Sequence, residues 1–204
     1  MKLDHIAVSG ESLEAAADCV EAALGVPLGA GGKHDVFFTH NRLLGLEEGL
    51  YLEAIAADPQ APSPGRPRWF ALDRFEGPPR LTNWICRSDA LEAELARMPA
   101  GSGAPVDLRR GDLHWRMAVP ESGVLPFDNC APALIEWQTQ THPAMSLARS
   151  GVRLRRLTVS HPRAEQLKAE LAPLLSDTRV AYEAGVPGLV AAFDTPHGPR
   201  ELGA

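Results

Sequence analysis

Apolar and polar positions along the chain switch between two periods, and the switches mark out a repeated unit. Leu3, Asp4, His5, Ile6, Ala7 and Val8 form a short strand pattern with a histidine at its centre. Leu13, Ala16, Ala17, Val20, Ala23 and Leu24 then recur at helical spacing, with Ser12 placed as an N-cap and Gly25 as a C-cap. A glycine-rich turn through Gly29, Gly31 and Gly32 follows. Strands are predicted over 36–40, 41–46 and 50–56, the last two joined by a tight turn at Glu47, Glu48 and Gly49. The opening pattern returns at 81–86 and at 154–159. A shift of 78 residues carries Leu3 onto Leu81, His5 onto Asn83 and Leu13 onto Leu91 without a gap, which predicts a duplicated strand-helix-strands unit.

The second unit predicts a helix through Leu91, Leu95 and Met98, then strands near 106–108, 114–119 and 133–138. In this alignment His40 and Arg42 match His114 and Arg116, and Glu53 matches Glu136. The organisation expected is a first βαβββ module over 1–57, a proline-rich crossover over 58–80, a second βαβββ module over 81–143, and a shorter C-terminal βαββ unit over 152–204 packed on one edge of the same domain. The crossover is unusually aromatic for a linker. Either Trp69 and Phe70 pin it to the core, or Arg68 and Trp69 form part of a ligand wall.

Composition narrows the function. A net charge of −6 and scattered basic residues argue against nucleic acid, and no apolar run approaches a membrane span. The chain opens without a signal-like segment. Its three cysteines, Cys19, Cys86 and Cys130, have no metal-ligand or disulfide spacing. A cytoplasmic protein is expected.

Residues i and i+2 of a strand share a face, so Leu3, His5 and Ala7 are expected on one side and Asp4, Ile6 and Val8 on the other. A helix covering the Ile6 and Val8 face leaves His5 on the open one. Glu53 and Glu136 are carboxylates inside apolar strands, where burial demands a cation or a raised pKa. They could pair with Arg42 and Arg116 of adjacent strands. A shared divalent metal held by His5, Glu53 and Glu136 explains all three at once.

Paired βαβββ units opening on Leu-Asp-His-Ile and closing on an apolar-Glu-apolar strand resemble the vicinal oxygen chelate, or glyoxalase-like, superfamily. The crossover from Pro67 to Phe70 and the run from Glu136 to Pro143 resemble its branch of uncharacterised bacterial glyoxalase-like domains. The resemblance implies an α+β fold in which the two units curl into one cupped mixed sheet. It places metal ligands at His5, Glu53, Asn83 and Glu136. Asn83 is a departure, because an amide oxygen is a poor ligand for Mn, Fe, Co, Ni or Zn. Two functions follow. One is a metalloenzyme (isomerase, lyase or ring-opening oxygenase type) using the ion as Lewis acid, with Glu53 and Glu136 catalytic. The other is a metal-free small-molecule binder using His5, Asn83, Arg68 and Trp69, with His34, His40 and His114 near the mouth. Homodimers are frequent in that superfamily.

Overall fold

The computed structural model describes residues 1–203. The first unit comprises β1 (Lys2–Ser9), α1 (Leu13–Leu24), β2 (Lys33–His34), β3 (Thr39–Gly45) and β4 (Tyr51–Ala57). The second comprises β5 (Arg80–Arg87), α2 (Leu91–Leu95), β6 (Ala104–Arg110), β7 (Leu113–Val119) and β8 (Ala133–Trp137). After α3 (Pro143–Ser146), the chain continues through β9 (Arg153–Ser160), α4 (Ala164–Leu171), β10 (Val180–Glu183), β11 (Gly188–Thr195) and β12 (Gly198–Leu202). The strand predicted over 36–40 starts only at Thr39, after a turn, and runs unbroken into the next. The strand β12 was not visible in the sequence, because Pro199 and alternating charge hide its pattern.

The first eight strands follow one symmetry. They form a single sheet in the order β2-β3-β4-β1-β5-β8-β7-β6, which reads outward identically from the central β1/β5 pair. That pair is antiparallel, and its register follows the 78-residue shift. His5 pairs with Ile85 and Ala7 with Asn83; adding 78 to 5 and 7 gives 83 and 85, so the shift exchanges the two pairs. Leu3 with Cys86 and Leu81 with Val8 are exchanged in the same way. The ladder also skips one residue on each strand, Asp4 on β1 and Thr82 on β5, again 78 apart. Matched bulges at matched positions make the two halves a pseudo-twofold pair.

The bulge changes which residues share a face. Leu3 joins Ile6 and Val8 in the convex-side core with α1, where simple alternation put it beside His5. Asp4 is left free of the ladder. Ala7, Ile55, Ile85, Trp115, Met117 and Ile135 line the concave side.

Helix α1 forms as predicted: the Ser12 hydroxyl accepts from the Ala15 N–H, and Gly25 closes the helix at φ 71°. Its buried stripe of Ala16, Ala17, Val20 and Leu24 packs on the convex face of the sheet.

The C-terminal unit forms a separate four-stranded sheet, β10-β9-β11-β12. It does not sit on an edge. Leu154, Leu157, Val159, Leu189, Ala191 and Phe193 share one core with Trp84, Cys86 and α1 on the back of the cup, and β11 runs against the central β5. An edge would have offered backbone groups, whereas the convex face offered apolar area.

Because that core is continuous, Leu157→Ala is expected to destabilise the whole molecule by about 2–5 kcal/mol. A urea melt followed by both fluorescence and circular dichroism should remain a single transition; separate unfolding of residues 153–202 would contradict the shared core.

Candidate functional site

The bulge at Asp4 creates the centre of the site. Freed from alternation, the Asp4 carboxylate turns onto its neighbour: Oδ1 lies 2.6 Å from His5 Nδ1. Oδ2 accepts from Trp137 Nε1 at 3.1 Å and pairs with His142 Nε2 at 2.9 Å, with Arg87 at 3.6 Å. His142 Nδ1 accepts the Ala144 N–H as the N-cap of α3, so its proton sits on Nε2 and points at Asp4. Burial of Asp4 opposes ionisation, but the hydrogen bonds from His142 and His5 outweigh it. They hold the carboxyl well below the usual carboxylate range.

Asp4 thereby fixes the tautomer of His5. Nδ1 carries the shared proton, and Nε2 faces the concave side, 3.8 Å from Glu53 Oε2. The imidazole stacks on Tyr51 at 4.3 Å between ring centroids, directly opposite it in the β1/β4 ladder. Burial pushes the Tyr51 phenol well above its ordinary value, with the Asp4 and Glu53 carboxylates adding to the shift. The ring therefore stays neutral.

The other Glu53 oxygen accepts from Asn41 Nδ2 at 2.5 Å. Asn41 Oδ1 accepts from the Gly32 N–H at 2.7 Å and from Arg110 at 3.2 Å. His34 Nδ1 is 2.9 Å from Thr39 Oγ1. Complete burial, then the nearby Arg110, His5 and His40, push its pKa down to about 3, so the ring is neutral. Its Nε2 is then the lone-pair side, 3.5 Å from Arg110.

These groups surround a cavity of about 30 Å³ lined by His5, His34, Glu53, Trp69, Arg110 and Trp115, among others. That is room for no more than a couple of waters. Trp69 and Phe70, from the crossover, close it from above. Phe70 and Ala71 have φ of 60° and 58°, and Phe127, Asp128 and Asn129 opposite them are also left-handed, a conformation costing roughly 1–2 kcal/mol per residue. The Ala71 N–H donates to Gly123 O at 2.8 Å. Gly123 lies so close that a Cβ there would stand 2.0 Å from the Arg68 carbonyl. The segment that borders the cavity is thus held in place by Gly123 and by the Asn129 amide, which donates to Phe70 O at 3.4 Å.

Two of the three residues expected to share a metal come together. Glu136 does not. The ladder pairs Ala7 with Glu53 in the first unit and Ile85 with Ala133 in the second, so the counterpart of Glu53 is Ala133. The sequence alignment was three residues out of register at this strand, and an odd slip moves a side chain to the other face. Glu136 faces the convex side, where it accepts from Arg116 Nε at 3.0 Å and from the Leu91 N–H at 3.2 Å. That is the arginine pairing the sequence also allowed. The matching proposal for Glu53 fails, because Arg42 binds Glu21 instead.

Of the remaining candidates, Trp69 and His34 line the cavity, and the Trp69 indole N–H has no partner. Asn83 is fully buried on the concave side with its amide nitrogen unpartnered, its oxygen 3.4 Å from Asn129. Arg68 is not a ligand wall: it pairs with Asp73 at 2.6 Å and ties the crossover to Phe38 O. His40 lies on the opposite face of β3 from Asn41, and His114 sits outside beside Asp107 at 3.5 Å. Asp4, Asn41, Arg110 and Trp137 were missed. Only the bulge and the closure of the sheet reveal them, and neither leaves a local pattern.

The four-ligand metal centre implied by the resemblance does not fit these residues. His5 Nε2 and Glu53 Oε2 are close enough to share an ion, but their second-unit counterparts are Asn83 and Ala133. Among the described residues no three His, Cys, Asp or Glu side chains are grouped to hold one.

A cupped sheet of two βαβββ halves around a polar hollow defines the vicinal oxygen chelate architecture. Within it, the chain belongs to the family described as "Glyoxalase-like domain", which matches residues 3–175. A hypothetical protein from Staphylococcus aureus is similar in fold, with 14% identity over 91% of this chain and 87% of that one and a TM-score of 0.64. Methylmalonyl-CoA epimerase from Mycobacterium tuberculosis shows 18% identity over 66% of this chain and 85% of that one, at 0.43. Another epimerase structure, with methylmalonyl-CoA and ammonium, shows 14% identity over 69% and 97%, at 0.45. No curated protein sequence matches. Among the described residues no helix is long and apolar enough to cross a membrane.

Asp4→Asn removes the charge that four donors converge on and is expected to cost about 3–5 kcal/mol near neutral pH. Because the folded pKa is depressed, wild-type stability from this group is present above the unfolded value of about 4 and lost as pH falls below it. Denaturation across pH 2–6 should show that loss in the wild type and a shallower slope in the variant.

Proposed function

We propose that the cup binds a small organic molecule and that His5 and Glu53 exchange a proton with it, at a carbon beside a carbonyl. The observation that carries this reading is the oriented pair: His5 Nε2, its tautomer set by Asp4, stands 3.8 Å from Glu53 Oε2 at the wall of a buried cavity. Two proton-accepting atoms 3.8 Å apart on one wall suit removal of a proton from the carbon by one group and its return by that group, or by the other once the proton has passed between them, the chemistry of an isomerase, epimerase or lyase. Asp4 is a positioning residue that keeps the Nε2 lone pair inward. Tyr51 and three tryptophans exclude water, which strengthens every interaction inside.

The residues present favour this reading over the metalloenzyme one, since only the first half of the cup supplies ligand-type side chains. Binding requires the segment carrying Trp69 and Phe70 to move, because the closed cavity admits only water. The left-handed backbone at Phe70 and Ala71 stores strain that such a movement would release.

The test is solvent deuterium incorporation into small aldehydes and 2-oxo acids, followed by proton NMR. Wild-type protein is expected to accelerate exchange for at least one compound. His5→Ala and Glu53→Gln should each lower the rate about 10²–10⁴-fold, while Glu136→Gln leaves it unchanged. Exchange that survives in both variants, no exchange with any compound, or activity abolished by chelation and restored by a divalent ion would each defeat the reading. Separately, Trp69→Phe is expected to change ligand on-rates in stopped-flow fluorescence more than it changes global stability.

A further inference from the structure

Among the described residues Arg110 is the one guanidinium lining the cavity, and it has no acid. It lies at the end of β6, where Val106, Leu108 and Arg110 share the concave face, and the curl of the sheet brings this edge against β2. Its nearest polar atoms are neutral: Asn41 Oδ1 at 3.2 Å and His34 Nε2 at 3.5 Å. Among the described residues no Asp or Glu oxygen comes within the 4.0 Å of an ion pair. Glu53, the obvious partner, is separated from it by Asn41, whose amide accepts from Arg110 on one side and donates to Glu53 on the other. Arg42, Arg68, Arg116 and Arg179, by contrast, each pair with an acid. A half-buried, unpaired guanidinium fork at a binding wall is arranged for an anion that arrives with the ligand.

The adjoining wall sets the rest of the ligand. Beside Arg110, β7 and β8 present Trp115, Met117, Ile135 and Trp137, a mainly apolar surface on which the Trp137 N–H is already used by Asp4.

We propose that Arg110 anchors a carboxylate of the ligand, so that the cup takes small organic acids whose apolar body lies against Trp115, Met117 and Trp137. This deepens the reading of the cup as the ligand site and rests on it. With the carboxylate on Arg110, which the curl of the sheet brings to the first half of the cup, the carbon chain of the acid runs toward His5 on β1 and Glu53 on β4. The substrate class is then an acid with an exchangeable hydrogen near its carboxylate end.

The experiment compares acids with their primary amides, which match in shape and lack the charge: benzoate with benzamide, phenylacetate with phenylacetamide, isobutyrate with isobutyramide. Dissociation constants come from ligand-observed NMR with the full chain. At least one acid is expected to bind ten or more times tighter than its amide. Arg110→Gln should bring that ratio close to one, and Arg110→Lys, which keeps the charge but not the fork, should restore part of it. Thermal unfolding of each variant checks that the fold is kept. An acid-to-amide ratio that is unchanged in Arg110→Gln, or acids and amides bound equally by wild type, overturns the anchor while leaving the cup as a ligand site. Binding of no acid and no amide overturns both.

Discussion

The site depends on a carboxylate that has been taken out of water and then satisfied. Asp4 is fully buried and collects hydrogen-bond donors from its own strand, from β8 and from the start of α3, with Arg87 of β5 close by. A charge in that position is tolerable only with all of its partners present. It therefore locks the first strand to the second half of the cup. The same contacts decide which nitrogen of His5 faces the hollow. Stability and chemistry are thus carried by one group, and the extra residue in the β1 ladder is what allows it to exist.

The backbone of the cup is nearly symmetric and its chemistry is not. The β1/β5 ladder maps onto itself under the 78-residue shift, bulges included. Yet His5 faces Asn83 across the pseudo-twofold, and Glu53 corresponds to Ala133. The first half of the hollow supplies imidazoles, a phenol, a carboxylate and an amide; the second supplies indoles, a thioether and aliphatic chains, with the Arg110 guanidinium reaching the first half from the β6 edge. A centre needing two ligands from each half cannot be built on such a wall. A cavity that grips a polar end on one side and an apolar body on the other can.

The remaining elements act as a frame. The C-terminal sheet and α1 share a dry core on the convex side, so the back of the cup is rigid. Most of the left-handed backbone lies near the mouth, where Phe70 and Ala71 meet the segment from Phe127 to Asn129. A stiff back with a strained front is the arrangement expected of a site that must open without losing its geometry.

The sequence by itself determined the elements and their duplication, because strand and helix periods, caps and a gapless 78-residue shift are local and additive signals. It also singled out His5, Glu53, Trp69 and His34, each a polar or aromatic residue in a place where burial has to be explained. Register is different. Whether Glu136 faces the hollow or the convex side turns on an odd or even offset between strands, and that offset is fixed by hydrogen-bonded pairing with β5, not by anything within β8 itself. In the same way, the turn of Asp4 onto His5 and the arrival of Arg110 from the far edge follow from a bulge and from the closure of the sheet. Those are properties of strands in contact, and only the tertiary structure decided them.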